Sequence, residues 1–460
     1  MSNTGFTARL AQWIAQAPRN WQADAMDQAQ RAIADTIGCI IAGVDDEAVR
    51  RVRAGLGRWG GGGEASQAGT AGGVDAPWAA LLNGTSAHAL DFDDVLDPAA
   101  SHVSAVMVPA LLALGEQMDA SGADLVDAYI VGVEVQECLA EAVNMTHYSR
   151  GWHTTLTLGA PSAAAACARL LRLDAQQSCH AMSIATSMAA GFKRQFGTNT
   201  KPLHAGLGAK NGILAAQMAA AGVTADPAIF EGERGFLDLM AGDGAAGFGS
   251  VLQRLDGPPA IVSPGVWLKR YPCCASTHRV VDAVIGMMQA NGLAVADIVG
   301  IDTQVSEPAV RNLMYVQPRD EMQARFSMAY CVAAAALDKD LRLATFRRTA
   351  MDRSDIADFI PRVAMSPDPA QPGDMPSTTR SWATTTLHMG DGRSFTRKVV
   401  DPKGYPGNPL SEQELEAKFR DCASAQAADV AASYADWRGI ASTAKIRPLC
   451  AGLRTLAKEV

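Results

Sequence analysis

The sequence predicts a mainly α protein, with a large all-helical domain and a smaller α+β domain. Three observations carry this expectation. Up to about residue 260, Ala- and Leu-rich segments repeat apolar residues at spacings of three and four. β-Branched, partly alternating segments appear only after Pro258-Pro259 and Pro264-Gly265. At 460 residues the chain also exceeds the size at which a single core usually stops growing, so two domains are expected.

The elements follow in order. Residues 24–44 read as a helix, because Ala29, Ile33, Ile37 and Ile40/Ile41 fall on one face. A glycine-rich loop spans Gly57–Gly63. Residues 103–118 and 123–144 read as two buried helices, and Pro161–Leu171, Ala175–Ala190 and Leu207–Ala221 as three more. Nothing before residue 260 reads as a strand. Beyond it, residues 298–305 alternate as a strand does, and 381–388 and 393–400 flank Met-Gly-Asp-Gly, a hairpin signal. Helical patterns cover 276–291 and 323–337. After Gly404-Tyr-Pro-Gly a helix resumes, with Ser411 as N-cap and Glu414 completing a capping box. The expected division is therefore 1–265 with 405–460 for the helical domain, and 266–404 for the α+β domain. With aromatics at 6% and small residues abundant, the helices should approach one another closely.

Composition narrows the function classes. Hydrophobic residues make up 48% and charged residues 19%, as in soluble globular proteins. A net charge of −8 and the lack of a basic run argue against a nucleic-acid partner. The longest apolar stretches, such as Val103–Gly115, fall short of the roughly 20 residues a membrane span needs. Residues 1–20 carry no cleavage signature, so the cytoplasm is the expected compartment. The nine cysteines lack paired spacing and no CxxC occurs, which predicts buried reduced thiols and no structural zinc.

The segment from His88 to His102 is the strongest chemical signal. Asp91, Asp93, Asp94 and Asp97 lie within seven residues, with a histidine at each end. Like charges so close raise one another's pKa, so the cluster needs a metal, a cationic partner or proton transfer to explain it. Asp93-Asp-Val-Leu-Asp97 matches the aspartate-rich motif of magnesium-dependent terpenoid synthases, but Pro98 would end a helix displaying it and no second acidic motif follows. Gly242–Gly247 matches GxGxxG without a surrounding βαβ unit and reads as a loop. His147, His153, His204 and His278 sit in or beside turn-rich breaks, where reactive groups are often displayed. Lys201 precedes Pro202 just ahead of a helix, so an ammonium and a helix N-terminus can face one space, and both attract anions. Lys269-Arg270 adds a second cationic pair.

Taken together, these segments resemble the MmgE/PrpD family. The resemblance runs through Asn83-Gly84, His88-Ala-Leu-Asp-Phe-Asp-Asp94, His102, Val106-Met-Val-Pro-Ala-Leu-Leu-Ala-Leu and Gly151-Trp-His153. It continues in Thr200-Lys-Pro-Leu-His-Ala-Gly206, Lys269-Arg-Tyr-Pro-Cys-Cys with His278, Ala324-Arg-Phe-Ser-Met-Ala-Tyr330, and Gly407-Asn-Pro-Leu-Ser-Glu-Gln-Glu-Leu. It implies a large helical domain, a smaller lid domain, a homodimer, and a site that uses neither metal nor organic cofactor. The family's chemistries include dehydration of 2-methylcitrate, decarboxylation of cis-aconitate and epimerisation of iminodisuccinate.

By the same resemblance, Asp91, His102 and His153 are the expected catalytic residues, and Lys201, Lys269, His204 and Cys274 the expected contacts to a small polycarboxylate. His102 and His153 would exchange protons, Asp91 would orient a histidine or act as base, and the lysines would hold carboxylates. Compared with the family's cis-aconitate decarboxylases, this chain looks to carry Val95 in place of a catalytic threonine and Cys274 in place of a histidine, which argues against decarboxylation. The expected function is a hydro-lyase or an epimerase acting beside a carboxylate, the lyase preferred. A cis-aconitate-type decarboxylase, a non-catalytic carboxylate-binding protein and, remotely, a terpenoid synthase are the alternatives.

Overall fold

The computed structural model describes residues 5–57, 62–97, 100–242, 247–371, 381–426 and 428–456. The chain divides into two compact units. The first comprises Met1–Ala89, Asp93–Val266 and Glu412–Val460, and the second Leu90–Phe92 and Trp267–Ser411.

The first unit is a helical assembly. Its main elements are α1 (Phe6–Gln16), α2 (Ala23–Gly43), α3 (Glu47–Leu56), α4 (Ala76–His88), α5 (Ser104–Met118), α6 (Gly122–Ser149), α7 (Gly159–Leu170), α8 (Ala175–Thr186) and α9 (Thr200–Ala220). Helices α4, α5 and α7 are buried on nearly every side, which explains why their sequences are apolar or small all round rather than amphipathic. The close approach expected from small residues is realised where α4 crosses α9. A Cβ on Gly84 would lie 2.9 Å from the Gly206 Cα, and one on Gly206 would lie 2.1 Å from the Leu81 carbonyl oxygen. This glycine-on-glycine contact draws the two helices together and so sets the C-terminus of α4 beside the N-terminus of α9. A helix over Glu412–Cys422 also belongs to this unit, its Lys418 pairing with the buried Asp35 of α2 at 2.7 Å.

Two expectations need correction here. The stretch before residue 260 does contain strands, β1 (Ala65–Ser66) and β2 (Gly73–Val74), an antiparallel pair too short for period-two patterning to register. Helix α9 begins at Thr200, seven residues earlier than expected. Pro202 does not prevent this, because in the first turn its missing N–H would have had no intrahelical partner. Lys201 and His204 therefore lie inside the first turns of α9 rather than ahead of it.

The second unit holds a four-stranded sheet in the order β4-β3-β5-β6, from β3 (Ile298–Val305), β4 (Val363–Pro367), β5 (Ala383–Met389) and β6 (Ser394–Val399). Strand β5 pairs antiparallel with β3 and β6, and β4 runs parallel to β3. Burial alternates residue by residue along β5, as a half-covered sheet requires. The β5–β6 hairpin turns through Gly390–Arg393, where Gly392 has φ +87°. Helices α10 (Ala275–Asn291) and α11 (Met328–Asp338) pack on the sheet and on each other. Strand β4 had no signal in the sequence. It is a mostly exposed edge ending in Pro367, and it lacks an apolar alternation.

The glycine-rich loop falls partly outside the described residues, at 58–61, and so does the interior of the Gly242–Gly247 motif, at 243–246. Among the described residues no helix is long and apolar enough to cross a membrane.

Candidate active site

Helix α4 ends at His88, and the acidic segment that follows is not helical: Asp91 sits at φ +53°, a left-handed conformation that aspartate tolerates. Asp93, Asp94 and Asp97 thus lie beyond the helix end, and in the first unit each of the first two is taken up by protein groups. The Asp93 carboxylate lies 2.8 Å from His88 Nδ1 and 3.1 Å from His102 Nδ1. Burial alone would raise Asp93, but the two imidazoles hold it well below the ordinary carboxylate range. Asp94 accepts from the Ser104 backbone N–H at 3.1 Å and from the Ser104 hydroxyl, which in turn meets the Tyr129 hydroxyl at 2.6 Å. Burial, helped by the charge of Asp93, pushes Asp94 up to about 7. It anchors the start of α5, two residues after His102.

His88 is the hub. Its Nδ1 donates to Asp93, and its Nε2 lies 3.2 Å from the Lys201 ammonium. With a cation donating to one nitrogen and a carboxylate accepting from the other, the ring is a neutral imidazole in a fixed tautomer. Burial first, then Lys201 and His102, push its pKa down to about 3 against the attraction of Asp93.

His153 begins a single helical turn, Thr154–Thr157, and its backbone N–H donates to the Gly191 carbonyl at 2.9 Å. Its Nδ1 meets Nδ1 of His204 at 2.8 Å, its ring packs against the edge-on Phe196, and its Nε2 is buried with no hydrogen-bond partner. Burial, then His204 and Lys201, lower His153 well below the usual histidine range, and burial with Lys201 pushes His204 down to about 4. Ring centroids of His88 lie 4.4 Å from His102 and 5.8 Å from His153. His102, His153, Lys201 and His204 are therefore brought together in the first unit, around His88 and Asp93.

The second unit holds Asp91, Lys269 and Cys274. Lys269 is fully buried; its Nζ donates to the Asp91 carbonyl at 2.8 Å and lies 3.2 Å from the Asp91 carboxylate. Cys274 precedes α10, and its backbone N–H donates to the Arg325 carbonyl. Burial and the charge of Asp91 push its thiol up to about 11, so it is protonated at neutral pH. Arg270 pairs with Asp340 at 3.0 Å, both side chains partly buried.

Two further histidines expected at breaks, His147 and His278, are held by protein groups. His147 lies in the last turn of α6, beside the turn at Arg150-Gly151, with Nε2 at 2.7 Å from the Thr157 hydroxyl and Nδ1 at 3.0 Å from the Met240 carbonyl. His278 is buried inside α10, with Nε2 at 3.3 Å from the Cys273 carbonyl.

Comparison with known proteins adds the family. Residues 8–248 match the MmgE/PrpD N-terminal domain and residues 271–434 the MmgE/PrpD C-terminal domain. The chain belongs to the MmgE/PrpD family. The human cis-aconitate decarboxylase is 32% identical over 366 residues, covering 75% of this chain and 72% of the relative. The mouse cis-aconitate decarboxylase is 30% identical over the same extent. That of Aspergillus terreus is 25% identical over 374 residues, covering 75% of this chain and 74% of the relative. These MmgE/PrpD relatives carry the name of the decarboxylase alternative, not of the epimerase.

Two residues of this candidate site, His88 and Asp93, were given no role from the sequence. The signal was present: a histidine and an aspartate five apart across a helix end can fold back on each other, whereas spacings of three or four within the helix would have been needed otherwise.

Proposed function

We propose that this chain is a lyase that removes a proton from a carbon beside a carboxylate of a small di- or tricarboxylate, with dehydration preferred over epimerisation. One observation carries the reading. His153 presents a neutral, buried nitrogen, Nε2, with no hydrogen-bond partner. A general base must be unprotonated and within reach of the proton it takes, and a neutral imidazole in a dry site meets the first requirement. A decarboxylation needs the opposite, a proton donor to quench the carbanion left when carbon dioxide departs.

The other groups fit the same chemistry. Lys201, buried beside His88, offers a cation to a substrate carboxylate and to the negative charge that builds on the adjacent carbon. Asp93 and His88 hold it in place. His102, the most exposed of the four site histidines at 12% of its side-chain surface, is the group assigned to protonate a departing hydroxyl. The carboxylate character of the substrate is supported by the relatives, named for cis-aconitate. The family resemblance extends the proposal to a homodimer, and the sequence reading extends it to the cytoplasm.

Decarboxylation remains the second reading, favoured by those same relatives. A panel separates the two. The enzyme is incubated in deuterated water with 2-methylcitrate, citrate, cis-aconitate and iminodisuccinate, and followed by NMR. A new alkene from a hydroxy acid is the expected result. Deuterium incorporation without net conversion marks an epimerase. Loss of a carboxylate from cis-aconitate without any C–H exchange would overturn the proposal in favour of the decarboxylase.

A further inference from the structure

The contact between His153 and His204 imposes a constraint that goes beyond the assignment of either residue. Two Nδ1 atoms 2.8 Å apart can form a hydrogen bond only if one carries a proton and the other does not. Two protons would bring hydrogens into collision, and no proton would set two lone pairs against each other. The pair therefore holds one proton between its rings. Since each ring is buried beside Lys201, a doubly cationic pair is excluded by like-charge repulsion as well.

The direction of that bond follows from the other end of the His153 ring. If His204 were the donor, His153 would carry its proton on Nε2, leaving a buried N–H with nothing to accept it. If His153 is the donor, Nε2 carries only a lone pair, and an unsatisfied buried acceptor is the less costly of the two. His153 thus donates from Nδ1, and Nε2 is the basic atom. His204 sits in the second turn of α9, held by the same helix that carries Lys201.

We propose that His204 is the positioning and proton-sharing partner of His153, fixing the tautomer that makes Nε2 the base and then accepting part of the abstracted proton's charge. This rests on the proton-abstraction reading above. In the step, the substrate C–H bond breaks, its electron pair stays on carbon beside the carboxylate, and a new N–H bond forms at Nε2. His153 becomes an imidazolium, and its Nδ1 proton moves toward Nδ1 of His204. When that transfer completes, His153 is neutral again with its proton on Nε2. The charge of the abstracted proton is thereby spread over two rings while His102 protonates the departing hydroxyl, and the pair is reset when it releases one proton to solvent after the water and the alkene leave. In this proposal His204 acts through His153, whereas the sequence led us to expect a contact to the substrate.

The decisive experiment is NMR on the full-length free enzyme with 15N-labelled histidine. A low-field N–H proton and a scalar coupling between two imidazole Nδ1 nitrogens across the hydrogen bond are expected in the wild type, both lost in His204→Phe. Kinetics on the acid that the wild type turns over complete the test. His204→Phe should lower kcat about 10- to 100-fold, shift the acidic limb of the pH profile downward, because the imidazolium of His153 loses its acceptor, and leave KM within about twofold, since the residue acts on proton transfer rather than on binding. His204→Asn, whose amide oxygen can still accept from Nδ1, should recover part of the loss and serves if the phenylalanine variant fails to fold. Absence of the trans-hydrogen-bond coupling in the wild type would overturn the proposal. So would a raised KM with unchanged kcat, which would make His204 a carboxylate contact. Absence of C–H exchange by the wild type with every acid in the panel would instead sink the proton-abstraction reading, and the catalytic role of the pair with it.

Discussion

Nζ of Lys201 lies 3.2 Å from Nε2 of His88, so the cation at the start of α9 is held by a neutral ring at the end of α4. Through that ring it is coupled to the Asp93 carboxylate, 2.8 Å from the other nitrogen. The chain Lys201–His88–Asp93–His102 places a positive group, a neutral spacer, a negative group and a second imidazole in sequence. Removing His88 takes a partner from both Lys201 and Asp93.

His88→Ala should therefore lower kcat/KM by about two orders of magnitude, although the sequence alone did not single this residue out. His88→Gln, which can donate and accept at similar positions, should lose less. Steady-state kinetics on both variants checks this. Wild-type kcat/KM in His88→Ala would remove the hub from the mechanism.

Acid should destabilise the fold through its neutral histidines. The folded pKa values of His88 and His147 are lowered from 6.5, to about 3 and about 4, chiefly by burial. A lowered histidine stabilises the fold above about pH 6.5, and that contribution is lost as the pH falls through the window down to the folded value. The Tm should fall steadily from pH 6.5 toward pH 4. His147→Gln, which removes one such group away from the reactive cluster, should flatten the slope, as measured by calorimetry across that range.

Asp94 predicts the opposite behaviour. Its folded pKa is raised from 3.8 to about 7 by burial and by Asp93, so its stabilising contribution is complete below about pH 4 and is lost as the pH rises through about 7. Asp94→Asn removes the charge and keeps an acceptor for the Ser104 N–H. The variant should gain Tm relative to wild type at pH 8.5 and gain nothing at pH 5. An equal effect at both values would contradict the assignment.

The glycine crossing gives a packing test. Gly206→Ala would push a methyl to 2.1 Å from the Leu81 carbonyl oxygen, a contact only backbone movement can relieve. Overpacking of this kind costs roughly 1–3 kcal/mol, visible as a lower urea midpoint. Because the same crossing sets Lys201 beside His88, kcat/KM should fall as well.

Much of this was legible in the sequence, for physical reasons that differ by element. The helices α2, α5 and α7 were found from apolar spacing, and β3, β5 and β6 from alternation and a hairpin turn, because burial on one or all faces writes itself into composition. The start of α9 was missed because Pro202 reads as a break, and only the helix geometry reveals that a first-turn proline is harmless. Strand β4 was missed because a parallel edge strand with little burial has no pattern to read. In the site, the residue types around Lys201 and His153 were recognisable from their motifs. The pairings were not: which imidazole meets which carboxylate depends on a helix crossing set by two glycines far apart in sequence. The Nδ1–Nδ1 contact of His153 and His204, 51 residues apart, is of the same kind.

The central claim is that His153 takes a proton from carbon, and one measurement addresses it most directly. The rate of deuterium incorporation from solvent at the carbon beside the carboxylate is compared, by NMR, between the wild type and His153→Ala. Measurable incorporation by the wild type and a loss of about two orders of magnitude or more in the variant are expected. Incorporation by His153→Ala at the wild-type rate would contradict it.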